Sequence, residues 1–237
     1  MKRIFKRFLA AMSGFVVMIS LTACSGWNEL DVVGQQSIKS FDEVLKTLPD
    51  QITVDETNAS WSLEAPDDSA RFIWSQDYSK SPLYDVMIEV DATPFINAGL
   101  DPDKLPNNYT YDNGMLKVGT KLGKEELTYS ANTTPLTSYE QIVNHYRTSI
   151  NYHTALDHFG VKLGDGNLFE WAKDMKTNGS TEENQDKDIV FVLNSEPLIE
   201  AGTVPDKVEE WTYAQVEVME NGKTLQVYKF LKPFDIK

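Results

Sequence analysis

The chain repeats itself. Asp85 to Pro106 reads DVMIEVDATPFINAGLDPDKLP and Asp188 to Glu209 reads DIVFVLNSEPLIEAGTVPDKVE, giving 8 identities in 22 ungapped positions. Unrelated segments of that length would share about one or two. Around this anchor, Phe72-Ile73-Trp74-Ser75-Gln76-Asp77 pairs with Phe169-Glu170-Trp171-Ala172-Lys173-Asp174, and Ser40-Phe41-Asp42-Glu43 pairs with Ser138-Tyr139-Glu140-Gln141. Tyr109-Thr110-Tyr111 pairs with Trp211-Thr212-Tyr213, and all anchors keep the same order at offsets of 97 to 103. Such spacing constrains the fold to two tandem copies of a unit of about 100 residues, a common domain size.

Each unit can be read from periodicity and turn formers. Ser40 with Glu43 three residues on is a capping-box pattern, and Phe41, Val44 and Leu45 share a helical face. In the second unit the same logic starts a helix at Ser138 and carries it through Ile142, Val143, Tyr146 and Ile150 toward Leu156. A hairpin follows in both units. Trp61–Glu64 and Arg71–Trp74 flank Pro66-Asp67-Asp68-Ser69, and Val161–Leu163 and Leu168–Trp171 flank Gly164-Asp165-Gly166-Asn167. Next come the apolar runs Val86–Val90 and Ile189–Leu193, which read as strands covered on both faces. Asp91 and Asn194 then cap short helices with Pro94 and Pro197 in the first turn and Gly99 and Gly202 at the end. A final hairpin closes each unit, Tyr109–Val118 turning at Asn113-Gly114 and Trp211–Val227 turning at Asn221-Gly222.

Helix, three strands, helix, two strands, twice over, predicts an α+β fold of mainly antiparallel sheet, because the strands cluster in hairpins. A doubly wound sheet would need repeated βαβ units. The expected organisation is a leader over residues 1–23, a tether over 24–38, unit 1 over 39–136 and unit 2 over 137–237, the units related by an approximate two-fold axis. Residues 176–187 are polar throughout and read as a loop.

The N-terminus carries Lys2, Arg3, Lys6 and Arg7 before an almost wholly apolar run from Phe8 to Leu21, the charged and hydrophobic regions of an export signal. This run is shorter than the roughly 20 residues of a membrane span. It ends in Leu21-Thr22-Ala23-Cys24, which resembles the lipobox of bacterial lipoproteins. The resemblance implies cleavage between Ala23 and Cys24, diacylglycerol on the Cys24 thiol with a further N-acyl chain as an addition, and stable anchoring by two or more chains. It implies an extracytoplasmic location on a cell membrane or an outer membrane; Ser25 is not the Asp that commonly retains such proteins at an inner membrane. Cys24 is the only cysteine, so no disulfide or zinc–thiolate cluster is available to the folded body.

Loss of residues 1–23 removes four basic and no acidic side chains, leaving 18 Lys plus Arg against 36 Asp plus Glu and a formal charge near −18. That balance excludes phosphate-driven nucleic-acid binding and keeps an exported body soluble. Five Trp, ten Tyr and eleven Phe supply enough apolar area for a real core.

Residues that could carry chemistry are few. The repeated PxIxAGxxPDK element consists of caps, helix stops and turn formers, and neither GxxxxGK(S/T) nor GxGxxG occurs. Phe72 and Trp74, like Phe169 and Trp171, share one face of a strand, with Asp77 and Asp174 just beyond. They read either as core aromatics with a turn residue or as an aromatic platform with a carboxylate, suited to a sugar, peptide or amine. Trp74, Asp77, Trp171 and Asp174 are the candidate ligand-binding residues. His145, His153 and His158 do not share a helical face and lack the HExxH spacing. Asp165-Gly166-Asn167 to Glu170 lacks the calcium-loop pattern, and no GxSxG elbow is present. No metal, cofactor beyond the lipid, or catalytic set is assigned. The expected function is a non-catalytic ligand-binding or interaction module, with the ligand or partner in the cleft between the units. The alternatives are an accessory subunit of an envelope protein complex, and a hydrolase of cell wall or polysaccharide.

Overall fold

The computed structural model describes residues 32–76, 84–122, 133–153, 156–175, 188–220 and 223–235. Cys24, Ala23, Asp77, the loop 176–187 and the Asn221-Gly222 turn lie outside these residues.

The first helix, α1, spans Val32–Thr47 and buries Gly34, Ser37, Ser40, Phe41 and Val44 along one stripe. It begins eight residues before Ser40, the expected N-cap, and takes in residues 32–38 of the expected tether. Ser40 sits mid-helix instead. Its hydroxyl donates to the Lys173 carbonyl at 2.9 Å and accepts from the Trp171 indole N–H at 3.1 Å. The corresponding helix, α3 (Pro135–His145), also starts upstream of the expected Ser138. Thr134 forms the cap: its hydroxyl accepts from the Thr137 amide at 3.2 Å while Thr137 Oγ1 accepts from the Thr134 amide at 2.8 Å. It also stops at His145, not near Leu156. Arg147–Ser149 makes a 3-10 turn and Ile150–His153 is a strand, β7.

Between and after these helices the two halves build the same series. The first has β1 (Ile52–Asp55), β2 (Ser60–Glu64), β3 (Ala70–Ser75), β4 (Val86–Asp91), α2 (Thr93–Asn97), β5 (Tyr109–Asp112) and β6 (Met115–Thr120). The second has β7, β8 (His158–Lys162), β9 (Leu168–Ala172), β10 (Ile189–Asn194), α4 (Ser195–Glu200), β11 (Thr212–Glu220) and β12 (Lys223–Phe234). Each unit thus has four strands between its helices, one more than expected, because β1 and β7 precede the hairpin in each half. The result is a mixed α+β fold with two similar six-stranded antiparallel sheets, ordered β1-β2-β3-β4-β6-β5 and β7-β8-β9-β10-β12-β11. In both, the last hairpin folds back so that its second strand lies beside the fourth.

One core serves both halves: Phe41, Phe72, Trp74, Val86, Ile88 and Leu116 from the first join Tyr139, Ile142, Phe169, Trp171, Phe191 and Phe230 from the second in a single buried cluster. Phe72 and Phe169 stack with centroids 4.5 Å apart, and Phe41 stacks on Tyr139 at 4.1 Å. Ser138 donates to the Ser75 carbonyl, and Ser37 bonds Tyr139 Oη. At the other end the α2 and α4 turns cross. Asp101 N–H donates to Ala201 O at 2.8 Å and Val204 N–H to Ala98 O at 2.9 Å. Gly99 (φ +104°) and Gly202 (φ +108°) meet there, and a Cβ on either would stand within 2.9 Å of the other's carbonyl oxygen.

Among the described residues the units meet through this apolar junction and not across the expected cleft. Burying aromatic faces against each other releases more free energy than lining a wet groove with them. What lies at the surface between α2 and the residues before β11 is a depression of about 120 Å³ lined by Asp91, Thr93, Pro94, Asn97, Glu209 and Glu210. Ligand pockets run to about 300–1,000 Å³.

Candidate functional site

Trp74 and Trp171 are fully buried in the shared core. Trp74 donates its indole N–H to the Pro135 carbonyl at 3.2 Å, as Trp171 does to Ser40. With Phe72 stacked on Trp74, and Phe41 and Tyr139 edge-on to Trp171, neither indole offers a face to a ligand. Their shared strand face points into the core, and the packing alternative is the one realised. Asp174 is exposed beyond the end of β9, and Asp77 lies outside the described residues. Of the described candidates, the two indoles are closed off in the core and form no open platform.

The outer faces of the sheets differ sharply. On β3, β4 and β6 the register aligns Arg71, Glu89 and Lys117. Glu89 is buried beneath them, its carboxylate accepting from Arg71 Nη2 and lying 3.3 Å from Lys117 Nζ. On β9, β10 and β12 the same positions hold Leu168, Val192 and Leu231. With Val190, Val216, Ala214 and Val227 these make a second, smaller apolar cluster. The continuous apolar run of β10 is thus covered on both faces as the sequence suggests, whereas β4 alternates, with Glu89 outward.

Toward the β7 edge the same outer face carries a polar cluster. The register sets His153 opposite His158, and Asn151, Gly160 and Glu170 in one row. All four polar side chains are buried. His153 Nδ1 lies 3.7 Å from Glu170 Oε1, and Asn151 Nδ2 donates to the same oxygen at 3.5 Å. Burial lowers His153 to about 4 and raises Glu170 to about 8, with the Asn151 contact opposing the latter. Burial, then the neighbouring His153, brings His158 to about 4 against the pull of Asp157. Near neutral pH the cluster is uncharged, with a protonated carboxyl beside neutral imidazoles. Proton exchange within it is chemically feasible, and its four polar side chains are buried. The five-residue spacing of His153 and His158 hides this meeting from a helical reading; only the hairpin reveals it. Among the described residues, no three His, Cys, Asp or Glu side chains converge as metal ligands would.

Two further polar residues carry structure that the sequence does not announce. Asn167, in the turn between β8 and β9, accepts from Tyr109 Oη at 3.1 Å and from the Asn194 amide at 2.8 Å, tying β5 to the second sheet. Lys229 is buried beside that turn and donates to Asn194 Oδ1 at 3.3 Å. Burial lowers it to about 8, opposed by Glu196 and Asp165.

Compared with protein-family models, with curated proteins and with solved structures, the chain matches none.

Proposed function

We propose that the mature chain is a lipid-anchored, non-catalytic interaction module on the extracytoplasmic side of a bacterial membrane, and that it docks a protein partner. The anchoring part rests on Leu21-Thr22-Ala23-Cys24 behind the basic and apolar leader. Helix α1 begins eight residues beyond Cys24, so at about 3.4 Å per residue the body is held within about 27 Å of the bilayer. The two halves are read as copies of one ancestral unit about an approximate two-fold axis. Phe72 against Phe169, Gly99 against Gly202, and the exchanged Asp101–Ala201 and Val204–Ala98 bonds support that reading.

One observation carries the interaction reading: at matched positions the outer sheet faces hold Arg71-Glu89-Lys117 in one half and Leu168-Val192-Leu231 in the other. Copies that keep the inner face and diverge outside present two different surfaces from one scaffold. The closed junction favours a surface partner over a small ligand between the units. If the partner is held stoichiometrically, the module is an accessory subunit of an envelope complex.

Two measurements test this. Fatty-acid labelling of the full chain should mark wild type and not Cys24→Ser. Thermal unfolding of the mature chain against sugars, amino acids, short uncharged peptides and divalent metals should be flat. A small ligand at 100 times its Kd would raise stability by about 2.7 kcal/mol, moving the midpoint by about 5–10 degrees, and such a shift would overturn the protein-partner reading in favour of a small-molecule binder.

A further inference from the structure

The four sheet edges are not alike. β1, β5 and β7 are four residues each, whereas β11 runs for nine, Thr212–Glu220. Its counterpart β5 is less than half as long, so the extension belongs to the second unit alone. Only Lys229–Phe234 of β12 pair with β10, while Lys223–Tyr228 pair with Gln215–Glu220 of β11. Six rungs of the hairpin thus run on past the pairing with β10 as a two-stranded ribbon, its base held by Val216 and Val227 in the outer apolar cluster and by the Ser195 hydroxyl donating to the Tyr228 carbonyl. Two strands by themselves are marginally stable in water, and a third is what such a ribbon lacks. Among the described residues β11 has no second partner strand, so every other residue turns its amide and carbonyl outward.

Natural edges of this length are usually blunted by proline, lysine or a bulge. Thr212–Glu220 contains no Pro, Lys or Arg, and its pairing with β12 is unbroken over nine rungs. The charge it does carry has one sign. From Val208 to Glu220 the chain holds Glu209, Glu210, Glu217 and Glu220 and no basic residue; Glu210 is paired with Lys232 and Glu220 stands opposite Lys223 of β12, which leaves Glu209 and Glu217 without a basic residue at the facing position. In a chain of net charge −14, that sign repels a second copy of the same edge and attracts a basic strand.

We propose that the outer edge of β11 is the docking edge for an extended, Lys- or Arg-bearing segment of a partner protein, which joins the second sheet as a seventh strand. This rests on the interaction-module reading and names its site. Main-chain bonds to the edge supply the affinity, and the acidic sequence of this segment selects the sign of the incoming one.

The test uses the mature chain and a fluorescein-labelled, end-capped decapeptide of alternating Lys and Val, with the Glu–Val decapeptide as its counterpart. The Lys peptide should bind with an affinity that falls as salt rises, and in hydrogen exchange it should protect amides within residues 212–220. The Glu peptide should bind at least tenfold more weakly. Of Gln215→Pro and Val216→Pro, one removes an outward N–H and the other an N–H bonded to β12; the outward one should abolish binding while leaving the melting midpoint within a few degrees. Protection at β1, β5 or β7, binding without new protection anywhere, or a dimer in sedimentation that protects the same amides would each overturn the proposal. If a membrane partner still crosslinks to the variant that has lost peptide binding, the edge is not the site and the interaction reading stands. If no partner crosslinks to wild type although the peptide protects β11, the edge is confirmed as a strand acceptor and the interaction reading is what fails.

Discussion

Phe72 and Phe169, at matched positions in the two halves, lie face to face with ring planes within 3° of parallel. Each is fully buried, so the pair welds two sheets that sequence alone would allow to be separate domains.

Truncating either ring to Ala should cost about 3–5 kcal/mol, the range for a buried Phe. The double variant should lose less than the sum by about 0.5–1.5 kcal/mol, the coupling of an aromatic pair. Urea unfolding followed by both fluorescence and circular dichroism should give one coincident transition in the wild type. Two separated transitions would mean that the halves fold independently.

The crossing of the α2 and α4 turns should be intolerant of a methyl group. Gly99→Ala or Gly202→Ala combines a positive φ with a contact of 2.9 or 2.7 Å to the opposite carbonyl, and should cost about 2 kcal/mol or more. Gly114 also has positive φ, +82°, but nothing stands within 4 Å of its Cβ position. Gly114→Ala should therefore cost only about 1 kcal/mol. Equal losses at the three sites would show that backbone conformation, not the close approach, sets the cost.

Stability should peak near pH 6.5 through the buried cluster. His153 and His158 have folded values of about 4 against 6.5, so the unfolded chain binds more protons between those values, and stability falls as pH drops from 6.5 to 4. Glu170 is raised from 4.5 to about 8, so its contribution is complete below 4.5 and is lost as pH rises toward 8. Between 4.5 and 6.5 two histidines outweigh one carboxyl, a net slope of about 1.4 kcal/mol per pH unit; above 6.5 only Glu170 acts, with the opposite sign. Glu170→Gln should abolish the decline between pH 6.5 and 8 in urea titrations and leave the acid limb. A decline that survives the substitution would assign it to another group.

Swapping the chemistry of the outer faces should be asymmetric. Val192→Glu places a carboxylate directly between Leu168 and Leu231, where the diagonal cation, Lys229, is already bonded to Asn194, and should cost about 3 kcal/mol or more. Glu89→Val removes an acid whose partners Arg71 and Lys117 retain access to water, and should cost about 1 kcal/mol or less. Chemical denaturation of the two variants decides this, and similar losses would contradict it.

Much of the sheet was legible because its strands are bounded by Pro, Gly and Asn-Gly turns. The helix starts were not. The buried stripe of α1 runs through Gly34, Ser37 and Ser40 before it reaches Phe41, and small residues that allow close packing leave no apolar periodicity. β7 was hidden for the opposite reason: Ile142, Tyr146 and Ile150 continue a helical spacing past the point where the Arg147–Ser149 turn ends it. The FxW pairs disclosed a shared face, but period-two alternation does not say whether that face meets solvent or another sheet. The unequal outer faces of β4 and β10 were visible as Glu89 against Val192, yet their meaning depends on the cross-strand neighbours that only the register supplies.

Ser40 belongs to the first half by sequence and bonds to Trp171 in the second; Asn167 belongs to the second and bonds to Tyr109 in the first. Neither half is complete without the other, as in an obligate dimer, but here one polypeptide encodes both. In a homodimer every surface substitution appears twice per assembly, once on each subunit. In this chain it appears once, so one exterior can lengthen a hairpin or change its polarity while the other keeps its own, with no penalty for breaking symmetry.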